Sequence, residues 1–319
     1  MNVSAQRHKV HFSSGGTECA AWYYPGSNGG CVVMAGGAAV PKEPGTDRFA
    51  KRFNEAGFAV LAFDFRHLGE SGGRPRQVIR IKEQLADWRA AIDFATAQPD
   101  TDPAKIALWG FSLSGGMLLQ VAANDPRPAA VIAQSPLMDG PAAAVNASRH
   151  TTAVASLRLT GRALADALGG LLGRPPLLVP TAGEPGSLTI LTTPDAMDGD
   201  RALDPDRQYR DWQQTVAARF ALRIAVYRPG RQAPRVRCPM LVVVCDQDRS
   251  ALPEPALKAA AQAPRAEVVR LPGGHYAPFL DGHEAAVAAE LDFLRRHLLG
   301  APAPSATPRS ANVPSSSGS

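Results

Sequence analysis

Trp109-Gly110-Phe111-Ser112-Leu113-Ser114-Gly115-Gly116 is the stretch that decides the fold of this chain. It follows Lys105–Trp109 (KIALW), a short continuous apolar run typical of a strand covered on both faces. It leads into Ser114–Ala123, which reads as a helix. Strand, then Gly-x-Ser-x-small-Gly-Gly, then helix is the arrangement a nucleophile elbow needs. The nucleophile sits in a strained turn, so its neighbours two residues away must be small. The turn pushes the hydroxyl out above the sheet. It also leaves the next backbone N–H, that of Leu113, aimed at a developing oxyanion, and the helix adds its positive N-terminal end. Ser112 is thus the candidate nucleophile. Ser114 stands where a second glycine is usual, so a register centred on Ser114 is the alternative. The strand ends only two residues before Ser112, which favours Ser112 and leaves Ser114 in the first helical turn.

Outward from this stretch the pattern alternates. Residues 8–12 and 18–24 read as two strands joined by the Gly-containing turn Ser13–Thr17. Cys31–Ala35, Phe58–Phe63 and Ala129–Gln134 are further buried strands, separated by helical stretches at Asp47–Ala56 and Val78–Ala97. The rhythm resumes with Met240–Val244, Glu254–Ala263, Glu267–Leu271 and His283–Leu299. Strands alternating with helices predict a mostly parallel central sheet flanked by helices. Between them, residues 136–238 carry Pro and Gly clusters, helical pieces at Ser156–Leu168 and Tyr209–Phe220, and an Arg-rich loop. This stretch is expected to be a lid inserted into a core formed by residues 1–135 and 239–300. Residues 301–319 are rich in Pro, Ser and Ala and are expected to be a disordered tail.

The partners of Ser112 are sought in loops at the C-terminal ends of strands, where an open α/β sheet places its ligands. A triad built on such an elbow runs Ser, acid, His along the chain. Met240–Val244 leads into Cys245-Asp246-Gln247-Asp248, and Glu267–Leu271 leads into Pro272-Gly273-Gly274-His275. Of seven histidines, His275 is the one in a site loop, and histidine titrates where a base near neutral pH must. An exposed loop histidine is the bland alternative. His8, His11, His283 and His297 read as surface groups, and His150 has no motif around it. Asp248 is the preferred acid, with Asp246 (a turn former) and Asp139 as alternatives. The second oxyanion donor is expected from the loop Gly36-Gly37-Ala38-Ala39, specifically the Ala38 N–H, because Gly-rich backbone can approach a reacting carbonyl.

Composition sets bounds. The chain has 319 residues, 45% of them hydrophobic, enough for a large core. A net charge of +5, spread over 34 basic and 29 acidic residues without basic runs, points away from nucleic acid. The four cysteines (Cys19, Cys31, Cys238, Cys245) have neither CxxC nor zinc spacing and suit a reducing cytoplasm. No histidine pair has metalloprotease spacing, so neither a metal nor another cofactor is expected. The first ten residues lack the apolar core of a signal peptide, and no run of about 18 apolar residues predicts a membrane span.

The chain resembles the α/β-hydrolases of actinobacterial and fungal secondary metabolism that carry a W-G-x-S-x-S-G-G elbow. Their D-x-R-H-x-G-x-S-x-G segment is matched by Asp64–Gly73 and their closing Y-R-P-G-R by Tyr227–Arg231. The likeness covers roughly residues 15–298. It implies an α/β-hydrolase fold with a lid and a Ser112, His275, Asp248 triad. It also implies esterase, thioesterase or polyketide-transferase-like chemistry. Where such relatives usually have His-Gly, this chain has Gly36-Gly37, which puts the shape of the oxyanion loop in question. Gly37, Arg66, His67 and Tyr276 lie where a substrate would sit, although Arg66 and His67 also read as groups that hold their own loop by hydrogen bonds. The arginine-rich, lysine-free lid suits either an acidic, carrier-protein- or coenzyme A-linked substrate or a solvated face.

Three readings follow. The first is hydrolysis of an acyl ester or thioester through an acyl-enzyme. The second is transfer, cyclisation or C–C bond formation on the same fold, favoured by a water-excluding lid. The third is a binding protein that inherited the fold, against which an intact Ser, Asp and His in order speaks. The oligomer is expected to be a monomer or homodimer.

Overall fold

The computed structural model describes residues 7–302. Apart from residues 301 and 302, the tail for which disorder was expected lies outside the described residues.

The chain enters through an antiparallel hairpin, β1 (His8–Ser14) and β2 (Thr17–Tyr24). Then β3 (Cys31–Ala35), α1 (Thr46–Glu55), β4 (Ala59–Phe63), α2 (Ile81–Thr96), β5 (Ile106–Phe111), α3 (Leu113–Ala122) and β6 (Ala130–Gln134) follow in alternation. After β6 come α4 (Gly140–Ser148), α5 (Ala153–Leu171), β7 (Leu178–Pro180), α6 (Gly199–Leu203), β8 (Thr215–Ala217) and α7 (Phe220–Ile224). The last part is β9 (Met240–Cys245), α8 (Pro253–Gln262), β10 (Ala266–Leu271) and α9 (His283–Leu299).

Eight strands form one sheet in the order β1-β2-β4-β3-β5-β6-β9-β10. The pairs from β4 to β10 are all parallel, and only β1–β2 and β2–β4 are antiparallel. This is the mostly parallel sheet that the continuous apolar runs predict. Its central strands are buried on both faces because alternate side chains enter two separate cores. Ile106 and Leu108 of β5 join Trp88, Met117 and Ala259 from α2, α3 and α8. Ala107 and Trp109 join Phe49, Phe53, Phe293 and Leu294 from α1 and α9.

Two expectations are corrected. Tyr209–Phe220 is not a helix. Apolar groups at Trp212, Val216 and Phe220 repeat every four residues and imitate one, but Thr215–Ala217 is strand β8, paired antiparallel with β7, and the helix α7 begins only at Phe220. Gln77 fixes that strand from outside: its Nε2 donates to the carbonyls of Gln213 and Thr215, and its own carbonyl accepts the Ala217 N–H. A three-residue strand held by distant partners leaves no period to read. Second, His283 is buried rather than on the surface. It packs edge-on against Phe49 at 4.8 Å, and its Nδ1 lies 3.1 Å from the Pro278 carbonyl.

Candidate active site

β5 runs directly into Ser112, whose φ of 55° and ψ of −117° lie in a region L-residues rarely occupy. The turn survives because Gly110 has no side chain: a Cβ there would lie 2.8 Å from the Ser114 carbonyl carbon. Leu113 is the first residue of α3, so no preceding turn accepts its N–H. Ser114 sits in that first turn, buried, and its hydroxyl donates to the Gly36 carbonyl. The serine in place of a glycine thus ties the turn at Ser112 to the loop 36–39. Gly37 completes the contact, since a Cβ there would crowd the Cβ of Ser112 at 3.3 Å and the Phe111 ring at 3.2 Å.

Ser112, His275 and Asp248 come together. The Ser112 Oγ is 3.0 Å from His275 Nε2, and His275 Nδ1 is 2.7 Å from Asp248 Oδ2. Both partners are buried. The other Asp248 oxygen accepts the N–H groups of Ser250 (2.9 Å) and Ala251 (2.6 Å), which fixes the carboxylate. Phe111 and Tyr276 pack on the imidazole with ring centroids 4.8 and 5.0 Å away. Burial works against the charged imidazolium, but Asp248 and then Asp195 outweigh it and raise the His275 pKa above its usual value. The alternative acids are occupied elsewhere. Asp139 caps α4 through the Ala142 N–H, and Asp246 pairs with Arg270 at 2.7 Å. Burial pushes the Cys19, Cys31 and Cys245 thiols up to about 12, so none of them competes as a nucleophile near neutral pH.

Above Ser112 lies a cavity of about 510 Å³. Ala38, Ser112 and Leu113 form its floor; α4, α5 and α7 supply much of its wall, chiefly Ala143, Ala147, Leu159, Leu222 and Ile224. Ser187, Thr189, Thr193 and Ser250 add hydroxyls, and among the described residues no Asp, Glu, Lys or Arg lines it.

Arg66 and His67 are not among the lining residues, because structural partners hold them. Arg66 meets Asp87 at 2.6 Å and Ser14 at 2.6 Å, and His67 Nε2 is 3.1 Å from Glu83. Tyr276 stands behind His275, not in the cavity wall. The Asp64–Gly73 segment is a knot: Asp64 accepts the Lys42 backbone N–H at 2.6 Å and its ammonium at 3.1 Å. This anchors the chain that leaves the loop 36–39. Tyr227–Arg231 packs α4 against α3, with the Gly140 N–H bonded to the Tyr227 carbonyl and the Gly230 N–H to that of Met138.

Sequence reasoning missed Asp195. It comes from the segment between β6 and β9, yet its Oδ2 accepts the N–H of Arg249 (2.7 Å) and of His275 (3.1 Å), and its Oδ1 accepts the Ser250 hydroxyl (2.8 Å). One buried carboxylate therefore clamps the loop after β9 to the loop after β10. Burial alone would raise its pKa, but His275 and these donors hold it below the usual carboxylate value. Asp195→Asn keeps an acceptor for both N–H groups and removes the charge. We expect its kcat/KM–pH profile to move its acid limb to lower pH, because His275 loses one of two facing carboxylates. Asp195→Ala additionally strands three donors and is expected to cost about 1–3 kcal/mol by denaturant unfolding. An unmoved acid limb in the Asn variant would show that the charge is not felt at His275.

An eight-stranded sheet with a serine elbow, and an acid and a histidine in later strand-end loops, defines an α/β-hydrolase, and residues 32–290 match the Alpha/beta hydrolase family. The chain belongs to that family. It is 38% identical over 299 residues to the quorum-quenching protein AidA of Acinetobacter baumannii, covering 92% of this chain and 96% of the relative. It is also 36% identical over 182 residues to the polyketide transferase ATR5 of Stachybotrys chlorohalonatus, covering 56% and 58%. Among solved structures, the alpha/beta hydrolase GrgF from Penicillium sp. superposes with a TM-score of 0.76 at 25% identity, over 92% of this chain and 99% of GrgF. Among the described residues no helix is long and apolar enough to cross a membrane.

Proposed function

We propose that this chain is a serine hydrolase that cleaves an ester or thioester of an uncharged, largely apolar acyl group through an acyl-enzyme. The observation that carries this reading is the Ser112–His275–Asp248 relay, with links of 3.0 and 2.7 Å, at the floor of a cavity without charged side chains. Ser112 Oγ attacks the acyl carbonyl while His275 Nε2 takes its proton, and the Leu113 and Ala38 N–H groups hold the oxyanion. His275 then returns the proton to the departing alcohol or thiol. Water, activated by the same nitrogen, releases the acid and restores Ser112. The segment between β6 and β9 acts as the lid, because α4, α5 and α7 close over the nucleophile. A coenzyme A- or carrier-protein-linked donor fits the same scheme, since only its acyl half has to enter the cavity. We place the reaction in the cytoplasm, where four cysteines that form no disulfide stay reduced.

Transfer of the acyl group to another acceptor is the second reading. It is favoured by the relative named polyketide transferase, whereas the thiohydrolase aneE of Aspergillus aculeatus, 38% identical over 117 residues, favours hydrolysis. Incubation with a fluorophosphonate probe followed by peptide mass mapping tests the activated nucleophile that both need. A single adduct on Ser112, absent in His275→Ala, is the expected result. An adduct on Ser114, or none on folded protein, refutes the mechanism.

A further inference from the structure

The inner and outer faces of α5 differ in a way the cavity does not explain. Inward, Ala155 and Leu159 line the cavity wall, Ala163 is buried in the core, and Asp166 is buried in an ion pair with Arg219 at 2.8 Å. Outward, Val154, Leu157, Leu164, Leu168 and Leu171 are 51 to 84% exposed. With Gly161 they form a stripe at positions 154, 157, 161, 164, 168 and 171, the 3-4-3-4-3 spacing of helices that pack along a seam. Gly161 stands at its middle, and a Cβ there would meet nothing within 4 Å. A glycine inside a helix is unfavourable relative to alanine unless something approaches it closely.

We infer that the outer face of α5 pairs with α5 of a second copy of this chain, antiparallel, across a twofold axis between residues 162 and 163. The spacing reads the same in both directions, so the stripe is its own complement, as a twofold interface requires. In the pair, residue 154 faces 171, 157 faces 168, and Leu164 of the second copy enters the space in front of Gly161, once on each side of the axis. Arg158 is the exposed charged side chain that flanks the stripe, and the pairing sets it beside Ala165 of the second copy, not beside another charge; Arg162 is half-buried and turns away to the Leu178 carbonyl at 3.0 Å. Asp166 faces inward, so no carboxylate has to be buried. The stripe and the adjoining Leu172 offer six large aliphatic side chains per copy, each covering roughly 100 Å². The pair thus buries on the order of 1,200 Å², the low end for a specific, stable interface. Each copy's share, roughly 600 Å², is at the upper end of the apolar patches that monomers expose, where such patches commonly mark interaction sites.

Sedimentation velocity on the full chain between about 1 and 100 µM tests this. We expect a species of twice the 33.6 kDa chain mass. Leu164→Arg, shown folded by circular dichroism, is expected to raise the dimer dissociation constant at least 100-fold and to sediment as a monomer, since it buries two cations without partners, one on each side of the axis. In Leu157→Cys/Leu168→Cys, mild oxidation is expected to give a covalent dimer, and in Leu157→Cys alone it is not. A wild-type monomer throughout the range overturns the inference. So does a dimer untouched by Leu164→Arg, and so does a monomer that binds phosphatidylglycerol vesicles through this face.

Discussion

Ser112→Ala is expected to lower kcat/KM on a p-nitrophenyl acyl ester by about 10⁴–10⁶-fold. The loss is large because no other group can take the role. Ser114 is buried with its hydroxyl committed to Gly36, and Cys245, at the end of β9, has its thiol pushed up to about 12 by burial. The Ser112 Oγ makes its bond to His275 and no other side chain, so removing it strands only one imidazole nitrogen beside the cavity. The Tm should therefore change little. The residual rate should come from the cavity and the oxyanion N–H groups, which the substitution leaves in place. Substrate binding should persist, and the folded variant should retain an apolar ester with little change in affinity. A variant that keeps more than about a tenth of the wild-type rate would sink the acyl-enzyme scheme, because the covalent step would then not lie on the path.

Asp248→Asn is expected to cost about 10⁴-fold in kcat near neutral pH, with Kd for substrate nearly unchanged. The reason lies in the two sides of the carboxylate. Oδ1 accepts two backbone N–H groups, from Ser250 and Ala251, and only an oxygen can replace it there. The amide of the variant must therefore turn its NH₂ toward His275 Nδ1, 2.7 Å away in the wild type. Nδ1 then has to accept, which places the ring proton on Nε2, the nitrogen that must take the proton of Ser112. The wild-type pH profile follows from the same contact. In the proposed mechanism His275 works as a base only when neutral, and its pKa is raised. Activity is therefore lost as pH falls through that raised value, and the acid limb lies above the pH an isolated histidine would give. Removing the Asp248 charge lowers the His275 pKa, so whatever rate remains in the variant should extend to lower pH. An acid limb that stays in place would mean that it reports another group. Asp195→Asn, with the smaller shift, is the control for distance.

The parts of this structure that were legible in the sequence share one property: the signal is local. A buried parallel strand is a run of five or six apolar residues, and β3, β4, β5, β6 and β9 were readable as such. The elbow is equally local, because Gly110 and Ser112 are set by a turn that closes within a few residues. The partners of Ser112 were sought in the few loops at strand ends; two of these carry a histidine, His67 after β4 and His275 after β10, and only His275 comes within reach of Ser112. What could not be read depends on pairing across long stretches of chain. Thr215–Ala217 becomes a strand because Leu178–Pro180 and Gln77 lie beside it, and in isolation its apolar spacing suits a helix better. Asp195 reaches a residue 80 positions away with no motif around it. Arg66 and His67 sit in a motif, but only the positions of Asp87 and Glu83 show that they hold their own loop instead of facing the cavity.

The dual allegiance of Asp195 constrains how this fold can be diversified. The stretch between β6 and β9 leaves and rejoins the sheet at neighbouring strands, which makes it look like an exchangeable cassette. It is not one, because the carboxylate that holds the acid loop to the base loop travels with it. A chimera that grafts the corresponding stretch of another hydrolase onto this sheet would inherit Ser112, Asp248 and His275 unaltered and still lose the clamp between two of them. Recombination here should succeed only when the incoming stretch brings an acceptor to the same spot, so new substrate pockets and an intact relay have to be inherited together.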